Sequence, residues 1–434
     1  MNKNYQKIGL SLSGGGYRAA AFHLGTLKKL HELNLLDKVD IISTISGGSI
    51  IGAYYCLNKN DYSTFEKKLY EALQYKNVIK KIWLSISFLK LVLFILVFLI
   101  PSCYVLFTNF AWLAPIIVIV FIGILLRFQF QIFPISREIE KIYNTFFYED
   151  KKLQDLPDKP ILVIGSTNLQ TGRTFTFSKT WMQDSTYQYT KPPIAFKAAE
   201  FPIARAVMAS SCVPFAFVPI KIDKVYFKDD ADARKVHPLL VDGGVYDNQG
   251  IHKIVQQGSY NCDVIITSDA GGKPSEEMTL RNTFSLLLAT VDVFMDRIKK
   301  SQLVQDVYRN VETTNKQVAY FSLGWKVENC LSGFVSNLSK KQIPQTVIDA
   351  LQLKEIWVAD PKTHKQDIIE YLKNRTGYAH LNIPSDTELQ IAQNVGTNLT
   401  ALSKQQVDCL MKQAEAMTEL QIKLYCPSII AIES

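Results

Sequence analysis

From residue 91 to residue 126 the chain runs for 36 residues without an Asp, Glu, Lys or Arg. A helix crossing a membrane takes roughly 20 apolar residues, with a range of about 17–25. The stretch is too long for one crossing and tight for two. Its apolar character also runs back to Trp83, with Lys90 the one charge inside that extension. The expectation is a hairpin insertion over residues 83–128, with one helix over 83–106, a turn at Thr108-Asn109 and a second helix over 111–128. Lys80, Lys81 and Arg127 flank it on one side, where positive charge stays cytoplasmic. Lys90 lies one to two turns inside and can snorkel back to that side. Trp83 and Trp112 suit interfacial positions, and Pro101 and Pro115 bend the helices. A buried core hairpin and a re-entrant or interfacial hairpin are the alternatives.

On both sides of the insertion the pattern is α/β. Strands are expected at 7–12, 40–45, 159–168, 174–177, 239–241, 263–268 and 318–323. Helices are expected at 19–33, 47–57 and 280–306. Strand, glycine loop, helix, strand, tight turn, helix is the rhythm of a parallel sheet with crossover helices. Because that rhythm resumes after the apolar stretch, residues 1–82 and 129–320 form one discontinuous domain. Residues 321–434 form a mostly helical C-terminal region, which from about residue 387 reads as peripheral. At 47% hydrophobic and 20% charged, the composition excludes wholesale disorder. A net charge of +8 suits a surface of anionic lipids and does not demand nucleic acid. The seven cysteines are scattered singly and read as reduced thiols. The first residues lack the apolar run and cleavage site of a signal peptide. The part outside the hairpin is therefore expected on the cytoplasmic side of a membrane that the two helices cross. No metal-ligand spacing and no cofactor motif is present, so neither a metal nor a cofactor is expected. The oligomeric state is not encoded in any recognisable pattern.

Three short motifs carry chemistry. Ser13-Gly14-Gly15-Gly16-Tyr17-Arg18 lies between the first strand and the first helix. Successive glycines let backbone N–H groups converge on an anion, and the helix N-terminus adds positive potential. The anion is a phosphate or the oxyanion of an acyl intermediate. A P-loop would need Gly-Lys-Ser/Thr after the loop, which is absent, and the match to a dinucleotide fingerprint is weak. Thr44-Ile45-Ser46-Gly47-Gly48 lies where a strand meets a helix and reads as a nucleophile elbow, with Thr44 where the usual pattern has glycine. The plainer reading is Ser46 as a helix N-cap. Asp242-Gly243-Gly244 puts a carboxylate at a strand end, although an ordinary Asp-Gly turn has the same residues.

Together, in this order, the three motifs resemble those of the patatin-like phospholipases. Weaker similarity is carried by Ala21-Phe22-His23-Leu24-Gly25, by residues 166–172 and by Met208-Ala209-Ser210-Ser211-Cys212-Val213-Pro214. The resemblance covers residues 7–82 and 135–310. It implies a three-layer α/β sandwich with a mainly parallel central sheet, and a lipid acyl hydrolase with a Ser-Asp dyad. Ser46 is then the nucleophile, Asp242 the base, and Gly14, Gly15 and Gly16 the oxyanion site. Arg18 holds the loop or faces a lipid phosphate, and Gly48, Gly243 and Gly244 support the turns. The expected substrate is a membrane glycerophospholipid.

All six histidines are then structural or surface residues, although a Ser-Asp-His order would nominate His252, His364 or His380. Asp247 and Asp269 are rival acids, with Asp247-Asn248 better suited to fixing the loop after Asp242. An acyltransferase with the same dyad and a non-catalytic lipid-binding scaffold are the alternative functions.

Overall fold

The computed structural model describes residues 6–272 and 282–430. Nine strands form one sheet: β1 (Ile8–Leu12), β2 (Val39–Ile45), β3 (Ile161–Asn168), β4 (Arg173–Phe177), β5 (Met182–Gln183), β6 (Ile220–Lys221), β7 (Leu239–Asp242), β8 (Val264–Asp269) and β9 (Gln317–Ser322). The order is β5-β4-β3-β2-β1-β8-β9, with β7 pairing β3 and β6. The five strands from β3 to β9 along that order are parallel, and β4, β5, β6 and β7 are antiparallel additions. The strands anticipated in the sequence are all present, with ends shifted by one or two residues.

The longer helices are α1 (Gly16–Glu32), α2 (Gly47–Asn58), α3 (Tyr62–Tyr75), α4 (Ile86–Val105), α5 (Leu113–Ile132), α6 (Ile135–Tyr143), α7 (Ile203–Ser210), α8 (Thr283–Gln302), α9 (Glu328–Ser339), α10 (Lys365–Thr376), α11 (Asp386–Gln393) and α12 (Lys404–Tyr425). The start of the helix expected at 280–306 falls outside the described residues. A short helix, Val78–Trp83, precedes α4, so the first apolar helix begins three residues later than expected.

The central strands are buried on both faces because both faces carry apolar side chains. Leu10, Leu12, Ile42, Ile164, Ile266 and Phe321 point into one large core shared with α1, α2, α3 and α12. Their neighbours Ile41, Val163, Ile265 and Val318 point the other way, into a smaller core closed by Ile251, Ile254 and Val255. This period-two division makes three layers.

The C-terminal helices are not peripheral. α12 packs along α1, and a Cβ added at Gly25 of α1 would lie 2.3 Å from the Met411 carbonyl oxygen of α12. Val407, Leu410, Ala414, Met417, Leu420 and Leu424 make its buried stripe. Leu402 N–H donates to Leu73 O at 2.9 Å, and Val78 N–H donates to Leu399 O at 3.2 Å. The sequence shows an amphipathic helix but not what it covers, and it covers the first helix.

The two apolar helices stand away from this body. α4 and α5 have 20 residues each, long enough to cross a membrane, and only 6% of the apolar window of each is buried. A core hairpin is therefore excluded. The helices pack on one another, through Phe94, Phe98 and Phe121, and near the tip Ser102 Oγ donates to Ala114 O at 3.2 Å.

The α1–α12 contact gives a test by paired substitutions. Gly25→Ala should destabilise the protein by about 1–3 kcal/mol, because the new methyl overpacks the Met411 backbone. Gly333→Ala in α9, where an added Cβ meets nothing within 4 Å, should stabilise it by about 0.5–1 kcal/mol. Thermal unfolding of both variants beside wild type measures the difference.

Candidate active site

β2 ends at Ile45 and α2 begins at Gly47, so the strand-to-helix turn falls on Ser46. The Ser46 backbone has φ 49° and ψ −116°. Residues with a side chain seldom adopt such values, at a cost of about 1–3 kcal/mol. The surroundings hold it there. Ser46 N–H donates to Ser210 Oγ at 2.9 Å, and Ser210 Oγ donates to Gly165 O at 2.6 Å. The turn is also packed main chain against main chain. A Cβ at Gly47 would lie 2.2 Å from Gly16 O, and one at Gly48 would lie 2.3 Å from Leu12 O.

Thr44, the departure from the usual elbow, is accommodated by a compensating glycine. A Cβ at Gly52, two turns into α2, would approach Thr44 Cγ2 to 2.6 Å. The missing side chain has moved from the strand to the facing helix. The Thr44 hydroxyl is also used: Ser49 Oγ donates to it at 3.0 Å, and Thr44 Oγ1 donates to Val163 O at 3.3 Å.

Strand register brings Asp242 to the elbow. Ile45 pairs with Gly165 and Asp242 with Ser166 along the same edge of β3, whose other edge pairs with β4. Antiparallel β7 therefore ends level with parallel β2. Asp242 N–H donates to Cys212 O at 2.8 Å and Gly243 N–H donates to Ser210 O at 3.1 Å, which pins the strand end against the same α7 terminus that holds Ser46. The Asp242 carboxylate accepts from Gly244 N–H at 2.7 Å, and the Ser46 side chain is near enough to favour its ionised form. Burial pushes its pKa up to about 6, against the lowering effect of Gly244 N–H and the Ser46 side chain. Ser46 is 7% exposed and Asp242 3%. Neither lines the cleft of about 680 Å³ between β9 and α9. Helix α8 covers this side, with Met295 Cε 2.6 Å from where a Gly244 Cβ would be, and it exposes Leu286, Leu287, Val293 and Phe294 outward.

The glycine loop lies beside the elbow, and a Cβ at Gly14 would meet Ser46 Cβ at 3.2 Å. Gly14 N–H donates to Asn248 O at 2.9 Å, so it is already committed. Gly15 and Gly16 have φ 139° and 59°, conformations that require glycine. Arg18 turns away from the serine. Its Nη1 donates to Val395 O at 3.2 Å, and the Asp269 carboxylate supports its charge against burial. It ties the loop to the C-terminal segment.

Asp247 fixes the loop after Asp242, its carboxylate accepting from Gln249, Gly250 and His252 N–H groups at 2.9–3.1 Å. Asp269 is fully buried. Burial alone would raise its pKa, but Lys299 Nζ at 2.5 Å, Tyr320 Oη at 2.6 Å and Gly271 N–H hold it below the usual range. His23 is buried between Ser268 Oγ and Ser13 O, and burial takes its pKa down to about 4. His252 Nδ1 lies 3.2 Å from Gln256 Nε2.

Sequence reasoning gave no role to Ser210 or Asn398, and to Asn248 only the fixing of the loop after Asp242. Ser210 appeared there only within a weak family-like stretch. Asn248 appeared as a loop residue, yet its Oδ1 would be 2.4 Å from a Gly14 Cβ. Asn398 accepts from Tyr17 N–H at 2.9 Å and closes over Gly16, which no local signal announced.

A sharp serine turn between a sheet strand and a helix, beside a glycine loop, belongs to the α/β acyl hydrolases. The patatin-like phospholipase model matches residues 10–253, more than half of the chain, and the chain belongs to that family, whose activity is lipid acyl hydrolysis. Among solved structures it is similar to VipD from Legionella pneumophila, at 13% identity and TM-score 0.33 over 99% of this chain and 92% of that one. It is also similar to human GIVD cytosolic phospholipase A2 bound to methyl gamma-linolenyl fluorophosphonate, at 13% identity and TM-score 0.47. That match covers 99% of this chain and 60% of the human one. No curated protein matches the sequence.

The Thr44–Gly52 contact is testable. Gly52→Ala should destabilise the protein by about 1–3 kcal/mol, and adding Thr44→Ser, which removes only the clashing methyl, should restore most of the loss. Chemical denaturation of the two single variants and the double variant gives the coupling.

Proposed function

We propose that this chain is a membrane-anchored lipid acyl hydrolase working through an acyl-enzyme on Ser46, with Asp242 as base. The observation that carries the reading is the juxtaposition of the strained Ser46 turn and the buried Asp242 carboxylate at adjoining strand ends on β3. Ser46 Oγ attacks the ester carbonyl, and its proton passes to Asp242. The carboxylic acid then protonates the departing alcohol. In the second half Asp242 takes a proton from water as the water attacks the acyl-enzyme, then returns it to Ser46 Oγ as the fatty acid leaves. Because Gly14 N–H is engaged with Asn248, the oxyanion falls to the N–H groups of Gly15 and Gly16 at the start of α1.

A glycerophospholipid held in a bilayer is the substrate this reading favours. The hairpin supplies the first reason. Ser46 precedes it and Asp242 follows it, and both meet at one site, so the chain crosses a membrane twice or not at all. Two helices of 20 residues rise about 30 Å each, the thickness of a bilayer core. The second reason is where the hairpin stands. Helix α6, which leads out of it, packs on α7, and Ser136 Oγ donates to Val218 O at 2.6 Å. That loop continues from Cys212, whose carbonyl holds Asp242 N–H. The exposed Phe215 lies between them. The third reason is the apolar outer face of α8, which shields the site and suits contact with lipid. The catalytic part is then on the cytoplasmic side, with the Lys80, Lys81 and Arg127 flanks.

Three measurements test this. Ser46→Ala and Asp242→Asn should each lose several powers of ten in ester hydrolysis and lose labelling by a fluorophosphonate probe, while His252→Ala keeps substantial activity. A His252→Ala enzyme as dead as Ser46→Ala would replace the dyad with a triad.

The pH profile follows from the state of Asp242. Its carboxylate must be ionised to accept the serine proton. kcat/KM should therefore be flat above the pKa of about 6 and fall tenfold per pH unit below it. A limb centred near 4 would show that burial does not hold Asp242 above the ordinary carboxylate range.

Topology is read with a single exposed cysteine, the other six being buried. In a Cys103→Ser background, Asn109→Cys should react with an impermeant maleimide only from the side opposite the catalytic part. Reaction from the same side would leave a re-entrant hairpin.

A further inference from the structure

Lys90 is the one charge that the apolar stretch tolerates and that the chemistry at Ser46 does not use. A lysine within a membrane helix is costly at the bilayer centre and less so near the edge, so its presence calls for compensation. The structure puts it at the rim of a groove of about 610 Å³ at the root of the hairpin. One wall is the entry to α4, with Lys81, Leu84, Ser85, Ile86, Ser87 and Lys90. The other is α6 and the turn after it, with Glu138, Lys141, Ile142, Thr145 and Phe146. Three lysines from separate segments thus face one cleft that holds a single carboxylate. Lys141 Nζ lies 2.8 Å from Glu138 Oε1, while Lys81 and Lys90 form no ion pair among the described residues. Hydroxyls of Ser85, Ser87 and Thr145 line the same cleft. Ser85 Oγ accepts from Phe88 N–H at 3.1 Å, and Thr145 Oγ1 donates to Lys141 O. Apolar surface adjoins the charge: Leu84 and Ile86 are each 73% exposed.

We infer that this groove is a binding site for an anionic phospholipid, whose phosphate lies among Lys81, Lys90 and Lys141 and whose chains lie along Leu84, Ile86 and the outer face of α4. The inference rests on the membrane reading of the hairpin and extends it from anchoring to lipid selection. Charge and position together name the ligand. The groove has two more positive than negative side chains, and it lies where the polar body gives way to the apolar helices. A phospholipid is the molecule that carries a phosphate at that depth with acyl chains directly beneath. Basic side chains at such a boundary contribute about 1 kcal/mol each toward anionic lipid, or roughly fivefold in binding. The occupant is an anchoring lipid and not the substrate, because none of the groove residues belongs to the set around Ser46 and Asp242.

The experiment uses the full chain in nanodiscs of phosphatidylcholine mixed with phosphatidylglycerol, with retained lipids counted by native mass spectrometry after release into mild detergent. Wild type should retain phosphatidylglycerol in preference to phosphatidylcholine. Lys81→Gln, Lys90→Gln and Lys141→Gln should each lower that preference about fivefold, and the triple variant should abolish it. Lys90→Arg should keep it. Glu138→Gln should raise it, because it removes the competing carboxylate and frees Lys141. Fluorophosphonate labelling of Ser46 reports that each variant is folded. Equal retention of the two lipids by wild type, or undiminished preference in the triple variant, overturns the site while leaving the membrane anchor standing. A chain that fails to enter nanodiscs at all overturns the anchor and the site together.

Discussion

Main chain touching main chain is the constraint on which the site depends. The end of β1, the start of α1 and the start of α2 converge until carbonyl oxygens lie where side chains would begin, at Gly47 and Gly48, and the Asn398 carbonyl closes on Gly16 in the same way. That convergence forces Ser46 into an unfavourable backbone state and aims its hydroxyl at Asp242. A strained turn persists only when its surroundings over-determine it. Here they do so through Ser210, which receives Ser46 N–H and also, by its carbonyl, receives Gly243 N–H. One residue thus sets the spacing between the hydroxyl and the carboxylate.

The legible part of this site was the part written in adjacent residues. A strand ending in Thr44-Ile45-Ser46 and a strand ending in Asp242-Gly243-Gly244 carry their turn chemistry with them. The β-branched pattern of the central strands carries their burial. What the sequence leaves unsaid is partnership across distance. Ser210 looks like any helix-end serine until β3 and β7 bring Gly165 and Gly243 to it. Asn398 lies in an ordinary polar turn until its carbonyl meets Tyr17. Helix α12 shows a buried stripe, yet no local pattern says that its cover is α1, and so it read as peripheral. Thr44 read as a weakness in the motif because the glycine that accommodates it is eight positions later, on a helix facing back to the strand.

The apolar hairpin interrupts the domain without disturbing the sheet because of where its ends return. It leaves after α3 and the short helix Val78–Trp83, and re-enters through α6, whose Ile139 and Tyr143 join the main core. Trp83, Phe88 and Phe133 pack at the base where the two strands of chain part. The insertion is tied at its foot and free along its length, so its helices carry a solvent requirement of their own. The domain imposes none on them beyond spacing.

The packing of α1 against α12 has a consequence for biosynthesis. Glu32 and Lys404 are 372 residues apart in sequence, so one side of the first helix has no cover until almost the whole chain has been made. The first strand likewise pairs on one side with β8, beginning at Ile8 with Val264. At about 5–20 residues per second, the gap between making α1 and making α12 lasts roughly 20–75 s. During that interval the Gly25 face of α1, with Lys28 and Lys29, whose partners Glu415 and Glu419 lie on α12, is uncovered in the nascent chain. The glycine loop at the head of that helix therefore reaches its final shape among the last events of folding. A ribosome stalled between Asp242 and Val395 holds a chain that already contains both Ser46 and Asp242 but lacks the Asn398 and Val395 contacts that close over the loop.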